Sequence, residues 1–366
     1  MKFRPSGILF VSRDLAVGGG SAFIRDITPF ISERGVPSYV LASGGRFTQA
    51  VRKGADFVWT PRIFAMAPIY CVKMALRKLK PAAVVVNKLK WAAKIIDVCE
   101  DADVPLFVRY NVDSQGDDKP HIAATKPRLA GLLCVCEMLA EPLQKDPAIC
   151  DKTRWLPIPV ADHLVREPLP PMPDEGFVVV SGNRTSHLKG QAVLAVFDIL
   201  PRLIECIPDF QLIVLGGGGL IREIRQRAAK ANELYGRSTV TVVGETENPY
   251  WYMAQGHCVL GSAHVAHEAL ALGRHVVCCG FKGYPTHITP DNFDWCIHRN
   301  FGDFDYGYEY SGVDRERMFV QLLSAYEAYK ASPVNEWGRE YIMQKHTCAA
   351  VADVLIGQLR DLGAQL

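Results

Sequence analysis

Residues 177–200 read FVVVSGNRTSHLKGQAVLAVFDIL, which predicts a strand, a polar loop and a helix in direct succession. The apolar run 177–182 has the length of a buried strand, and a helical pattern extends from about Gly190 to Cys206. The same alternation continues in the segments 210–216, 220–234, 239–244, 249–255, 257–261, 265–273 and 274–279. Strands that alternate with helices predict right-handed βαβ units and a parallel sheet.

The first half of the chain repeats this plan. Apolar runs typical of buried strands lie at 7–12, 38–42, 82–87, 104–110, 131–136 and 154–158. After the first of them, residues 21–35 place four apolar side chains on one helix face and stop at Gly35. The sequence therefore predicts an α/β protein with two doubly wound, Rossmann-like domains.

A proline-rich stretch separates the two halves. Residues 166–176 contain four prolines in eleven residues, which is the composition of a linker. We expect an N-terminal domain over 1–163, a linker over 164–176, a C-terminal domain over 177–334, and a terminal helical segment, 335–366, that braces back toward the N-terminal domain. Because ligands of open α/β sheets bind at the carboxyl ends of the strands, we also expect the two domains to face a central cleft.

The net charge of +2 conceals an asymmetry between the halves. Residues 1–160 hold 23 Lys and Arg against 15 Asp and Glu, whereas residues 161–366 hold 18 against 24. Much of the basic excess lies within 73–94, which predicts contact with an anionic membrane surface or a phosphate-bearing acceptor. Solvated helix faces are the alternative. Nucleic acid is not expected, because no recognised nucleic-acid motif accompanies the charge.

The 11 cysteines predict a reducing compartment. Their number is odd, most lie in apolar runs, and no pair has C-x-x-C spacing, so we expect buried free thiols in a cytoplasmic protein. The histidines lack H-E-x-x-H spacing, so no metal site is expected. The longest apolar stretches are far shorter than a membrane-spanning helix, and the amino terminus is interpreted as a first strand rather than a secretory signal.

Two cations mark the loop of the opening stretch. Arg184 and Lys189 lie five residues apart above the start of a helix, where a guanidinium and an ammonium can hold a diphosphate. The alternative is a basic loop exposed to solvent. Glycines follow two other strands, at 18–20 and at 216–219, and they suit either close backbone approach to a ligand or a plain turn. If these glycines allow close backbone approach, Gly217 contacts the ligand whose diphosphate the two cations hold.

A carboxylate begins a later helix. Glu268 lies near the start of the helical segment 265–273, where it can accept hydrogen bonds from both hydroxyls of a ribose. It can also act only as a first-turn acid that complements the helix dipole.

In their order along the chain, the motifs GNRTSHLKG, FQLIVLGGGG, VTVVGE and HEALALGRHVV resemble those of GT-B glycosyltransferases, specifically of family 4. The resemblance implies transfer of a hexose from a UDP- or GDP-linked donor to a carbohydrate or lipid-linked acceptor in polysaccharide biosynthesis. It implies retention of anomeric configuration and no cofactor or metal. The protein would be cytoplasmic and peripherally attached to a membrane through residues 73–94.

The resemblance also implies roles for residues. Arg184 and Lys189 would bind the donor diphosphate and stabilise the leaving group, and Glu268 would bind the ribose. The remaining implied contacts are Gly19 and Gly20 with phosphate or acceptor, Lys282 and Gly283 with the donor sugar, and Asn111 or Asp113 beside the reacting carbon.

One departure keeps two other functions open. In the family, another glutamate lies eight residues before the one that corresponds to Glu268, and here that position is Leu260. A non-catalytic protein that binds a nucleotide sugar is therefore an alternative, as is a non-hydrolysing epimerase of UDP-sugars. A nicotinamide enzyme is disfavoured, because G-x-G-x-x-G is absent from both halves.

Overall fold

The computed structural model describes residues 6–16, 18–111, 123–161, 164, 171–304 and 312–366. Asp113 and residues 165–170 of the predicted linker lie outside the described residues. The chain forms two compact units, Met1–Pro159 with Lys345–Leu366, and Val160–Gln344.

The first unit contains a parallel sheet of seven strands in its described part, in the order β3-β2-β1-β4-β5-β6-β7. Its strands are β1 (Ile8–Val11), β2 (Ser38–Leu41), β3 (Phe57–Trp59), β4 (Ala83–Val86), β5 (Leu106–Tyr110), β6 (Gly131–Cys134) and β7 (Thr153–Trp155). Its helices are α1 (Gly19–Glu33), α2 (Thr48–Gly54), α3 (Pro68–Leu79), α4 (Leu89–Asp101) and α5 (Glu137–Gln144).

The central strands of this sheet are apolar because helices cover both of their faces. Every residue of β1 and β4 is buried. Helix α1 contributes Phe23, Ile27 and Ile31 to the same core, and the Phe23 ring meets the Phe10 ring edge-on, with centroids 6.3 Å apart. The strand order reverses between β1 and β4, which creates a crevice at their carboxyl ends.

The second unit contains a sheet of six strands in its described part, in the order β10-β9-β8-β11-β12-β13. Its strands are β8 (Phe177–Ser181), β9 (Phe210–Leu215), β10 (Val240–Gly244), β11 (Cys258–Gly261), β12 (His275–Cys278) and β13 (Thr286–His287), of which only β13 is antiparallel. Its helices are α6 (Gln191–Cys206), α7 (Ile221–Tyr235), α8 (Pro249–Gln255), α9 (His264–Ala271), α10 (Phe293–His298), α11 (Arg315–Ala331) and α12 (Glu336–Lys345). Here the strand order reverses between β8 and β11. The predicted α/β fold with two doubly wound sheets is confirmed.

The terminal segment divides between the two units. In α12, Trp337 and Tyr341 pack on Phe293, so this helix belongs to the second unit. The last helix, α13 (Cys348–Asp361), belongs to the first unit, where its Asp353 pairs with Arg34, the residue that follows α1. Among the described residues, we find no helix with both the length and the apolar character needed to cross a lipid bilayer.

Candidate functional site

Two loops meet at the crevice of the second sheet. One follows β8 and carries Arg184 and Lys189, and the other follows β11 and begins with Ser262. The buried Asn183 joins them: its Oδ1 accepts from the Ser262 amide at 3.3 Å, and its Nδ2 donates to the Cys279 carbonyl at 3.2 Å. One side chain thereby fixes the ends of β8, β11 and β12 relative to each other.

Lys189 is held at this crevice by three groups. Its Nζ lies 2.9 Å from Oδ2 of Asp303 and donates to Oγ of Ser262 at 3.0 Å. It also lies 4.5 Å from the centre of the Phe281 ring. Only 12% of the lysine side chain and 7% of the aspartate side chain are exposed, so the pair is largely desolvated. Because an ammonium has three donors, one N–H remains after the two bonds that Lys189 makes to described residues.

Arg184 has a different environment. Its side chain is exposed, and among the described residues its guanidinium has no hydrogen-bond or ion-pair partner. Its backbone packs closely against Gly216, because a Cβ added at Gly216 would lie 3.2 Å from the Cα of Arg184. The structure thus places one free cation and one held cation on a single loop.

The glycine loop 216–219 packs against this cation loop. The Thr185 amide donates to the Gly217 carbonyl at 3.0 Å, and the Leu220 amide donates to the Thr185 carbonyl at 2.9 Å. A Cβ at Gly216 would lie 2.7 Å from the Asn183 carbonyl oxygen, and one at Gly217 would lie 2.7 Å from Oε1 of Glu245. These glycines therefore permit close contact between two loops of the protein.

Glu268 lies in the second turn of α9 and is 6% exposed. Its Oε1 lies 2.9 Å from Nε2 of His264, one turn earlier. The helix begins after Ala263, whose φ of 49° and ψ of −127° are unusual for a residue with a side chain. Such strain persists only where the surrounding structure holds it, and it marks this turn as a candidate site.

The loop after β12 carries Lys282 and Gly283. Gly283 has a positive φ of 68°, and its amide donates to the Gly280 carbonyl at 3.2 Å. Gly280 lies so close to Asp303 that an added Cβ would meet its Oδ1 at 2.4 Å. The loop that carries Lys282 therefore contacts Asp303, the ion-pair partner of Lys189.

In the first unit, Gly19 and Gly20 begin α1 at the crevice of the first sheet. Added Cβ atoms at Gly18 and Gly19 would meet none of the described residues within 4 Å. The Asn87 side chain, just after β4, donates from Nδ2 to the Gly20 carbonyl at 3.2 Å. Asn111 follows β5, and its buried Oδ1 has no hydrogen-bond partner in the described part of the chain.

The structure thus gathers Arg184, Lys189 and Gly217 at one crevice, with Lys282 and Gly283 on the adjoining loop. The sequence analysis missed Asn183, Ser262 and Asp303. Asn183 belongs to the predicted loop and could have been found there, but Asp303 is separated from Lys189 by 114 residues and no motif marks it. Within the described residues, no three His, Cys, Asp or Glu side chains are grouped as metal ligands would be.

No family model and no curated protein sequence matches the chain. Solved structures do match it. HepE from Anabaena, in complex with UDP and glucose, aligns with a TM-score of 0.70 at 14% identity over 97% of this chain and 99% of that chain. A glycosyltransferase from Rickettsia africae aligns with a TM-score of 0.70 at 11% identity over 99% and 100%.

An epimerase has the same architecture. UDP-GlcNAc 2-epimerase from Neisseria meningitidis, bound to UDP-GlcNAc, aligns with a TM-score of 0.60 at 15% identity over 97% of this chain and 100% of that chain. At such identities the likeness shows the fold. This chain has the GT-B architecture, in which each of two domains is Rossmann-like.

Proposed function

We propose that the protein is a glycosyltransferase that moves a hexose from a nucleotide-sugar donor to a carbohydrate or lipid-linked acceptor. The observation that carries the proposal is the pair of cations after β8, of which Lys189 is held by Ser262 and Asp303 and Arg184 is exposed with no partner among the described residues. Ligands of open α/β sheets bind at such a crevice. UDP is the favoured nucleotide, since HepE was solved with UDP and glucose.

The proposed chemistry needs charge neutralisation more than an acid or base. As the bond between the sugar carbon and the diphosphate oxygen breaks, negative charge collects on the leaving phosphate. Arg184 can bind that phosphate bidentately, and Lys189 can donate its third N–H. The acceptor oxygen then bonds to the sugar carbon, and its proton passes to the departing phosphate. Glu268 would hold the donor ribose. We propose that the reaction retains configuration and requires no metal.

Arg184→Ala gives the cleaner test of phosphate binding by these two cations. The side chain is exposed and has no partner among the described residues, so removing it leaves the fold intact. We expect UDP affinity to fall at least tenfold with no change in melting temperature, since a charge-assisted hydrogen bond to phosphate contributes about 1.5–3 kcal/mol. Titration calorimetry with UDP measures the first quantity and thermal unfolding the second. Lys230→Ala, which removes an exposed cation on α7, is the matched control.

Unchanged UDP affinity in Arg184→Ala would contradict phosphate binding by Arg184.

Turnover of UDP-linked sugars in the presence of EDTA tests metal independence. UDP binding without turnover on any acceptor would favour the non-catalytic alternative.

The epimerase alternative is favoured by one observation, the likeness to an enzyme bound to UDP-GlcNAc. Incubating the protein with UDP-GlcNAc alone separates the two activities. Inversion at C2 of the free nucleotide sugar indicates an epimerase. Transfer that depends on an added acceptor indicates a glycosyltransferase.

We further propose that the protein is cytoplasmic and attaches peripherally to anionic membranes through the surface around α3. Its large apolar side chains are exposed in a run just before and inside the helix, namely Ile63, Met66, Ile69 and Tyr70. Met66 is 81% exposed. Arg62, Lys73, Arg77 and Lys78 are exposed beside them. Apolar side chains next to basic ones favour insertion at an anionic bilayer surface.

Co-sedimentation with vesicles tests this attachment. We expect binding to vesicles that contain phosphatidylglycerol and little binding to pure phosphatidylcholine. Lys73→Glu with Arg77→Glu should lower the bound fraction at least tenfold, since each basic residue contributes about 1 kcal/mol. Lys230→Glu is the control. Equal binding of wild type and the double variant would remove this surface from the proposal.

A further inference from the structure

A second cation is buried in the first unit, and none of the described residues forms an ion pair with it. Arg109 lies in β5 and is 3% exposed. Its guanidinium carbon lies 4.3 Å from the centre of the Phe23 ring of α1. Its Nε is sealed from solvent and donates to no hydrogen-bond acceptor among the described residues. Burial lowers its pKa to about 10, which still leaves it charged at neutral pH.

The position of Arg109 in the sheet relates it to the start of α1. Val86 of β4 is the register partner of Val108 of β5, so Asn87 and Arg109 are neighbours one step further along. Asn87 bonds to the Gly20 carbonyl, and Phe23 in the next turn packs on the guanidinium. Arg109 therefore lies beneath the first two turns of α1, at the carboxyl end of the sheet.

The N-terminus of α1, which lies above Arg109, has features that favour binding of an anion. No side chain caps α1, and its first turn contains no acidic residue. Added Cβ atoms at Gly18 and Gly19 would contact nothing in the part of the chain that the structure describes. Backbone N–H groups at a helix N-terminus, together with the helix dipole, attract negative charge.

A buried guanidinium without a carboxylate is unfavourable for the folded protein alone. Among the described residues, no Asp or Glu pairs with Arg109, and burial is the cause of its lowered pKa. Stacking on an aromatic ring offsets only part of the free energy that desolvating an ion costs. A bound oxyanion would supply the missing partner.

We propose that Arg109 and the start of α1 bind an oxyanion, phosphate or carboxylate, on the acceptor sugar. This inference rests on the proposed glycosyl transfer only in identifying the ligand as the acceptor. The oxyanion site itself is defined by residues of the first unit. The acceptor class is thus a sugar phosphate or a uronic acid.

Binding of small anions tests the site without any turnover. The measurements use an Arg184→Ala background, so that the cations of the second unit contribute less. We expect glucose 6-phosphate or glucuronate, but not glucose, to raise the melting temperature. Arg109→Met should lower the affinity for the anion that binds at least tenfold. The two anions separate a phosphate site from a carboxylate site, and equal effects of glucose and both anions would overturn the proposal.

The stability of Arg109→Met separates ligand binding from a structural role. Because the substitution removes an unpartnered buried charge and keeps an apolar side chain on Phe23, we expect the melting temperature of the free protein to hold or rise. A large decrease, together with anion affinity retained in Arg109→Lys, would assign Arg109 to packing and overturn the proposal.

UDP titrations separate this inference from the proposed function. Arg109→Met in the otherwise wild-type protein should bind UDP as wild type does, whereas Arg184→Ala should not. Equal loss of UDP affinity in both variants would place the donor diphosphate at Arg109 and overturn the acceptor assignment. Failure of the wild type to bind UDP would contradict the proposed function, while the anion titrations would still report on Arg109.

Discussion

Lys189 and Asp303 depend on each other for stability as well as for the proposed chemistry. The two side chains are largely buried, and their charged atoms lie 2.9 Å apart. Removing one partner of such a pair leaves an uncompensated charge in a desolvated place. A substitution of Lys189 alone would therefore mix lost donor binding with lost stability.

A double-mutant cycle separates these effects. We expect Lys189→Met and Asp303→Asn each to lower the free energy of unfolding by about 3 kcal/mol, because each leaves the other group unpaired. The combined variant should lose clearly less than the sum, while its UDP affinity stays low. Urea unfolding and UDP titration provide the two readouts. Additive losses would show that the two side chains are not coupled.

At the residue scale, sequence reasoning found the cations because they lie five residues apart on one loop. It did not find Asp303 or Arg109. The partner of Lys189 is distant in the chain, and Arg109 lies inside the apolar run 104–110, where composition indicates only a strand. Arg109 is distinguished by its burial and by the absence of a partner among the described residues, and both are properties of the folded structure rather than of the sequence.

The elements follow apolar periodicity closely where they are central and less closely at sheet edges. The predicted strands 82–87 and 177–182 correspond to β4 and β8, whose residues are all buried. The sequence analysis missed β3, a strand of three half-buried residues at the edge of its sheet, and β13, a strand of two residues. Such short edge strands carry too little apolar pattern to be separated from loops.

The packing of the glycine loop on the cation loop gives a prediction about these elements. Gly216 has a φ of 81°, and an added Cβ would lie 2.7 Å from the Asn183 carbonyl oxygen. Gly236, at the end of α7, has a φ of 62° but open space around its Cβ position. Both alanine substitutions cost about 1 kcal/mol for the left-handed conformation, and only Gly216→Ala adds a clash of about 1–3 kcal/mol.

We therefore expect Gly216→Ala to lower the melting temperature more than Gly236→Ala does, and to weaken UDP binding as well, because the clash displaces the loop of Arg184. Gly236→Ala should leave UDP affinity unchanged. Equal effects of both substitutions on UDP binding would show that the contact between the two loops does not position the cations.

Across the whole molecule, the charge asymmetry seen in the sequence falls on two separate units. The basic excess of residues 1–160 belongs to the unit that carries α3 and Arg109, and the cations of the second unit lie within an acidic half. Composition could predict this division. It could not predict which of the cations are exposed on α3 and which, like Arg109, lie inside a sheet.

Each unit also buries a histidine that is kept neutral. Burial lowers the pKa of His346, in the first unit, from 6.5 to about 4, and the nearby Lys345 adds to the effect. In the second unit, burial lowers the pKa of His287 to about 4, and the neighbouring His275 acts in the same direction. Both units therefore contain a group that the unfolded chain protonates more readily than the folded chain does.

The consequence is a loss of stability in mild acid. Unfolded histidine takes up a proton near pH 6.5 and the folded residue only near pH 4, so the stabilisation is complete above pH 6.5 and is lost as the pH falls toward 4. At pH 5 each histidine should lower the free energy of unfolding by about 2 kcal/mol relative to pH 7.5. Melting temperatures at the two pH values measure the effect. In His346→Gln and His287→Gln the difference between pH 7.5 and pH 5 should shrink, and because each variant is compared with itself, a change in packing cancels. A pH dependence identical to that of the wild type in both variants would show that these histidines do not govern acid stability.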